Sequence, residues 1–142
     1  MTRERFLMWE ERQELRYEFD GFQPIAMTGG TAAHAMIQHN LHRVIGGRLS
    51  GSPCRFFGSD LKIETAIGFR YPDGFVTCSP VFASDTTARE PVVIFEVLSD
   101  NTARTDLVTK NHEYSAIPSV QRCIVLAQDE VAGSMFERTG GD

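Results

Sequence analysis

The chain has 142 residues, 42% of them hydrophobic and 23% charged, and a formal net charge of −5. That size supports one domain spanning 1–142 with a real core, and no apolar run approaches the ~20 residues that cross a bilayer. The acidic balance, without a basic stripe, argues against tight unaided binding of duplex nucleic acid, yet it is compatible with a carboxylate site that is acidic until a dication fills it.

The N-terminal Met1-Thr2-Arg3-Glu4-Arg5-Phe6 carries no apolar signal core, so a cytoplasmic location is expected. Thr2 is placed to cap a first helix with Phe6, Leu7 and Trp9, fading near Gln13. Two apolar runs at 15–19 and 22–27 flank Asp20-Gly21 and read as a β-hairpin. Pro24 predicts a free edge on the second strand. Thr31 follows a break at 28–31 and caps a long helix to about residue 50, with Ile37, Leu41, Val44, Ile45 and Leu49 on its apolar face and Gly51 as its stop.

Strand-like runs follow at 54–57, 60–66 and 75–78. The run at 91–98, Pro-Val-Val-Ile-Phe-Glu-Val-Leu, suits a central strand covered on both faces. Residues 99–102 offer caps for a helix over 103–116, which Ile117-Pro118-Ser119 ends. A buried-type strand at 120–127 and a hairpin partner at 133–138 close the pattern. This order predicts an α/β (α+β) fold, a central mixed β-sheet flanked by helices.

Cys54, Cys78 and Cys123 are widely spaced and form no Cys-x-x-Cys pair, so free, buried thiols are expected. His39 and His42 share a helix face but lack a third ligand, and a solvated face is expected there. The chain has no Gly-x-Ser-x-Gly elbow, phosphate-binding Gly-Lys loop or dinucleotide fingerprint.

Two carboxylates stand out. Glu96 interrupts the most apolar strand, where an unpaired charge costs several kcal/mol unless it is hydrogen-bonded, paired or bound to metal. An ordinary ion pair with Arg70 or Arg122 is one reading of it. Asp73 precedes a short apolar strand in Tyr-Pro-Asp-Gly, which is also plain turn chemistry. Together, two carboxylates at neighbouring strand ends are able to share a hard cation that keeps several waters. Asp60-Leu61-Lys62 forms a competing Asp-x-Lys, with Asp60 as a peripheral candidate and a salt-bridged solvent face as the plainer reading.

The ordered set of Phe6-Leu7-Met8-Trp9-Glu10, Tyr17-Glu18-Phe19-Asp20-Gly21, His34, Gly58-Ser59-Asp60-Leu61, Tyr71-Pro72-Asp73, and Phe95-Glu96-Val97-Leu98-Ser99 through Thr102, Asp106, Lys110, Tyr114 and Ile117-Pro118-Ser119 resembles the Uma-type endonucleases. These belong to the restriction-endonuclease-like PD-(D/E)xK superfamily. The resemblance implies a magnesium-type (Mg2+ or Mn2+) site with Asp73 and Glu96 as metal carboxylates. Glu18, in the family's Glu-x-x-Gly hairpin, would support the site or a second metal, and Lys110 would supply the catalytic lysine. It implies DNA as the substrate, phosphodiester hydrolysis as the reaction, and a homodimer, because cutting two strands takes two sites.

The chain departs from the family pattern in three places. Leu98 stands where a lysine two residues after Glu96 is expected, Gly74 replaces a β-branched residue and is expected to loosen its strand, and family members run some tens of residues further, so a truncated C-terminus is expected. The competing function is a non-catalytic domain of the same fold that acts as a binding or interaction module.

Overall fold

Thr2 begins the first helix as its spacing predicts. Its hydroxyl accepts the Arg5 N–H at 3.2 Å and α1 runs Arg3–Glu10. In this computed structural model, which describes residues 1–27, 29–98, 104–127 and 134–137, α1 buries Phe6 against the rings of Phe19 and Phe69. That aromatic trio ties the helix to the first of two five-stranded sheets.

The hairpin forms around Asp20-Gly21. Strands β1 (Tyr17–Phe19) and β2 (Pro24–Ala26) pair antiparallel, and the Asp20 carboxylate accepts the N–H groups of Phe22 and Gln23. With β4 (Lys62–Glu64), β5 (Phe69–Arg70) and β7 (Thr87–Ala88) they make a sheet ordered β2-β1-β5-β4-β7, with β4 and β7 parallel. β2 is its edge, where Pro24 withholds no ladder hydrogen bond from a second neighbour. β5 and β7 are two residues long, too short to show a period in sequence.

Helix α2 (Ala32–Arg48) is capped by Thr31, whose hydroxyl accepts the His34 N–H. Leu41, Ile45 and Leu49 pack against Phe56, Val76 and Phe95. Val44, expected on this face, is 42% exposed instead. The second sheet contains β3 (Arg55–Gly58), β6 (Gly74–Thr77), β8 (Pro91–Val97), β9 (Arg122–Leu126) and β10 (Ser134–Glu137), ordered β10-β9-β8-β6-β3. β8 is central, as its continuous apolar run predicts. β10 forms the expected hairpin with β9, and β8 and β9 run parallel, joined through α3 (Arg104–Ser115). The proposed caps at 99–102 and the tail at 139–142 lie outside the described residues.

Two expectations are corrected here. Cys54 and Cys78 are disulfide-bonded rather than free, because β3 and β6 pair with Arg55 opposite Thr77 and the next step of that register brings the two cysteines together. Cys123 is free and buried as expected, and burial pushes its thiol up to about 12. Gly74 does not loosen its strand. It is buried and fully paired, and a Cβ there would come 2.4 Å from the Phe56 ring. The Phe56 side chain occupies the space that a β-branched residue would fill.

Candidate active site

Asp73 and Glu96 meet through strand register. β6 and β8 are antiparallel with Gly74 opposite Phe95, so one further step sets Asp73 opposite Glu96 on the same side of the sheet. The Asp73 carboxylate is held by two hydrogen-bond donors and faces an imidazole nitrogen. Oδ2 accepts the Val97 N–H at 2.7 Å, while Oδ1 receives Gln38 Nε2 at 3.1 Å and lies 3.3 Å from His34 Nε2.

Glu96 is 6% exposed and accepts the Tyr114 hydroxyl at 2.6 Å on Oε1. Burial is the chief reason its pKa rises from 4.5 to about 8; nearby Lys110 opposes the rise, and the charges of Asp73 and Glu18 add to it. The same burial, with Glu96 alongside, pushes the Tyr114 phenol well up, so the phenol remains a hydrogen-bond donor.

Glu18 arrives from the other sheet. Its Oε2 accepts the Tyr71 N–H at 2.9 Å, and its Oε1 lies 3.5 Å from Arg70 and 3.7 Å from Lys110 Nζ. Burial works against the Lys110 cation, but Glu96, Glu18 and Asp106 outweigh it and raise the pKa, so the ammonium stays charged. Arg70 makes a two-bond fork to Glu113 at 2.9 and 2.7 Å. Lys110, Glu113 and Tyr114 stand three and four residues apart and share one face of α3, so the fork sets the helix register for all three.

The loop that carries Asp73 is anchored from below. The Tyr71 hydroxyl donates to Glu10 Oε1 at 2.7 Å, and Lys62 lies 3.3 Å from the other Glu10 oxygen. Pro72, between Tyr71 and Asp73, is fully buried. The turn chemistry of Tyr-Pro-Asp is therefore embedded in packing on both sides.

Asp73, Glu96, Glu18 and Lys110 thus lie in one cluster. Asp60 does not join it. Its side chain is 98% exposed and pairs with Arg16, while Lys62, expected on the same strand face, is buried on Glu10. Asp60 sits in the turn before β4 and so does not share the strand's alternation. Nor is Glu96 paired with Arg70 or Arg122: Arg70 is taken by Glu113 and Glu18, and Arg122 by Glu137. His34, Gln38, Arg70, Glu113 and Tyr114 were not singled out as site residues from sequence. The signals were present as helical spacings, four residues from His34 to Gln38 and four from Lys110 to Tyr114.

The carboxyl groups of Glu18, Asp73, Glu96, Asp106 and Glu113 outnumber the cations of Arg70 and Lys110 in this cluster. A bound cation would offset that excess. Among the described residues no three His, Cys, Asp or Glu side chains form a ready-made cage. The donor set therefore fits a hydrated ion held by one or two carboxylates, the habit of magnesium. A groove of about 1260 Å3 near Arg3, Glu64, Phe82 and Pro118 contains none of these residues and presents no comparable cluster. Among the described residues no helix is long and apolar enough to cross a membrane.

Comparison with known proteins agrees with this architecture. The family model Uma2, described as "Putative restriction endonuclease", matches residues 3–142. The uncharacterized protein slr1290 of Synechocystis is 31% identical, over 97% of this chain and 74% of the relative. A second uncharacterized Synechocystis protein, sll1609, is 29% identical over 90% of this chain and 75% of its own length. A crystal structure from Anabaena variabilis, described as "a putative nuclease belonging to DUF820", matches with a TM-score of 0.73 at 22% identity, covering 96% of this chain and 82% of that one. The likeness shows the restriction-endonuclease-like fold, a mixed α+β arrangement, that the sequence predicts.

Proposed function

The chain belongs to the Uma2 family, and from that premise we propose that it is a metal-dependent endonuclease that hydrolyses phosphodiester bonds of DNA. The observation that carries this reading is the facing pair Asp73 and Glu96, with Lys110 held beside them by Glu18. Asp73 and Glu96 would hold a divalent ion of the Mg2+ or Mn2+ type, with Glu18 as support. Such an ion, when bound, supplies an activated water and offsets the charge that develops on the phosphate.

The rest is the work of the chain's own residues. The Lys110 ammonium, fixed by Glu18 and Asp106, donates hydrogen bonds to the attacking water and to the phosphate oxygens. The Tyr114 hydroxyl holds one Glu96 oxygen, which fixes the other oxygen's direction. The Val97 N–H and Gln38 do the same for Asp73. The Arg70–Glu113 fork ties α3, and with it Lys110, to β5. A homodimer would place two such clusters on opposite strands.

The test is a cleavage assay on supercoiled and linear DNA with Mg2+ or Mn2+, comparing the wild type with Asp73→Asn and Glu96→Gln. Loss of metal-dependent nicking in both folded variants is expected. Cleavage retained in either one overturns the assignment. The competing reading, a non-catalytic binding module of the same fold, is favoured by one observation: each oxygen of Asp73 already accepts a hydrogen bond within the chain. It predicts partner binding that does not depend on Asp73 or Glu96.

A further inference from the structure

We propose that Glu10, the last residue of α1, is a positioning residue: it clamps the segments that carry Glu18 and Asp73 and so fixes the spacing of these two carboxylates across the site. This rests on the reading of Asp73 and Glu96 as metal carboxylates with Glu18 in support, and the experiment below separates the two.

The clamp is a single carboxylate oxygen. Glu10 Oε1 accepts the Tyr71 hydroxyl at 2.7 Å and the Tyr17 N–H at 3.2 Å. Tyr17 immediately precedes Glu18, and only the buried Pro72 separates Tyr71 from Asp73. The proline ring fixes its own φ, so little freedom lies between the Tyr71 anchor and the Asp73 carboxylate. The two segments are also joined directly, because the Tyr71 N–H donates to Glu18 Oε2 at 2.9 Å. These three hydrogen bonds close a ring through Glu10, Tyr71, Glu18 and Tyr17.

The other oxygen holds the clamp in place. Lys62 Nζ lies 3.3 Å from Glu10 Oε2 and 5.7 Å from the centre of the Tyr71 ring, and all three residues are buried. An ionised acceptor makes shorter and stronger hydrogen bonds than a neutral one, and Lys62 supplies the countercharge that a buried carboxylate needs. Apolar packing seats the helix in register with this. Phe6 and Glu10 are the buried residues of α1 and stand one turn apart on one face. Phe6 packs on Phe19 of β1 and Phe69 of β5. The helix therefore rests on the strand that bears Glu18 and on the strand from which the Asp73 loop departs, and its last residue aligns the two. Glu10 and Lys62 act on the site through Tyr71 and Tyr17.

The experiment compares two double variants that remove the same buried charges. Glu10→Gln/Lys62→Met keeps a carbonyl oxygen for Tyr71 and Tyr17, whereas Glu10→Leu/Lys62→Met has none. Tyr71→Phe removes the hydroxyl bond alone. Arg3→Ala, which frees α1 from Glu64 and from the Thr65 and Ala66 carbonyls, controls for weaker docking of the helix. Glu10→Leu/Lys62→Met and Tyr71→Phe are expected to lose roughly 10–100-fold in Mn2+ affinity, measured by calorimetry, and in kcat of DNA nicking, with KM little changed. Glu10→Gln/Lys62→Met should recover most of both, and Arg3→Ala should keep both. Hydrogen exchange at the Tyr71 and Val97 amides, the donors to Glu18 and Asp73, reads the clamp without metal or substrate. It should speed up in the two impaired variants while the β9 amides hold their rates. Equal behaviour of the two double variants, or a loss in Arg3→Ala as large as in Glu10→Leu/Lys62→Met, overturns the role of Glu10. A wild type that neither binds Mn2+ nor nicks DNA overturns the metal reading instead, and the exchange rates alone then decide the clamp.

Discussion

Tyr114 donates its hydroxyl hydrogen to Oε1 of Glu96 at 2.6 Å, and both groups are buried. The bond joins α3 to the strand that precedes it. Tyr114→Phe would leave that oxygen without its donor, at a cost of about 1–3 kcal/mol in stability. Because the bond favours the ionised carboxylate, its loss should also move the Glu96 titration, and the onset of metal binding, to higher pH. Urea denaturation and a pH series of Mn2+ titrations check the two effects separately.

Glu96 also dictates a slope of stability with pH in the metal-free protein. The folded state holds its proton up to about pH 8, while a carboxyl in the unfolded chain releases it near 4.5. Folding therefore takes up a proton between those values. The stabilisation from Glu96 is complete below pH 4.5 and is lost as pH rises through 8, a difference on the order of a few kcal/mol. Glu96→Gln should flatten that slope and equal or exceed the wild type in stability at pH 8. A drop of about 3 kcal/mol instead would indicate a broken buried ion pair. Denaturation midpoints at several pH values decide between these outcomes.

Arg70→Ala leaves Glu113 buried without its fork and should cost about 3–5 kcal/mol. Arg70→Lys keeps the charge but loses the planar two-bond geometry, so it should remain folded yet impair cleavage by letting α3 and Lys110 shift. Circular dichroism together with the nicking assay tests that split. If Arg70→Lys retains full activity, the fork does not set the position of Lys110.

Gly74→Ala should destabilise the protein by about 1–3 kcal/mol through overpacking, since its methyl would press on the Phe56 ring. The double variant Gly74→Ala/Phe56→Leu should cost less than the sum of its parts if this contact is the cause. Thermal melts of the four proteins in the cycle measure it.

The parts of this molecule that were legible in sequence carry their signal locally. Glu96 was visible because a carboxylate in an apolar strand demands an explanation, and α2 because Thr31 and its period mark its start and face. Lys110 came only with the family pattern. Arg70 and Glu113 were hidden because they are 43 residues apart and β5 is too short to declare itself. The Cys54–Cys78 bond depends on the β3–β6 register, which no single segment specifies. His34 came with the family pattern, but its place beside Asp73 depends on how α2 packs, which no single segment specifies.

The cluster draws Glu18 and Arg70 from one sheet, Asp73 and Glu96 from the other, and Lys110 from the helix between β8 and β9. No fragment of the chain contains it, so a ligand of this site binds the native state and not the unfolded one. Saturating such a ligand at a hundred times its Kd would add about 2.7 kcal/mol to the unfolding free energy. The melting temperature is thus a direct assay of occupancy, and a library of metals and oligonucleotides can be ranked by it before any cleavage is seen.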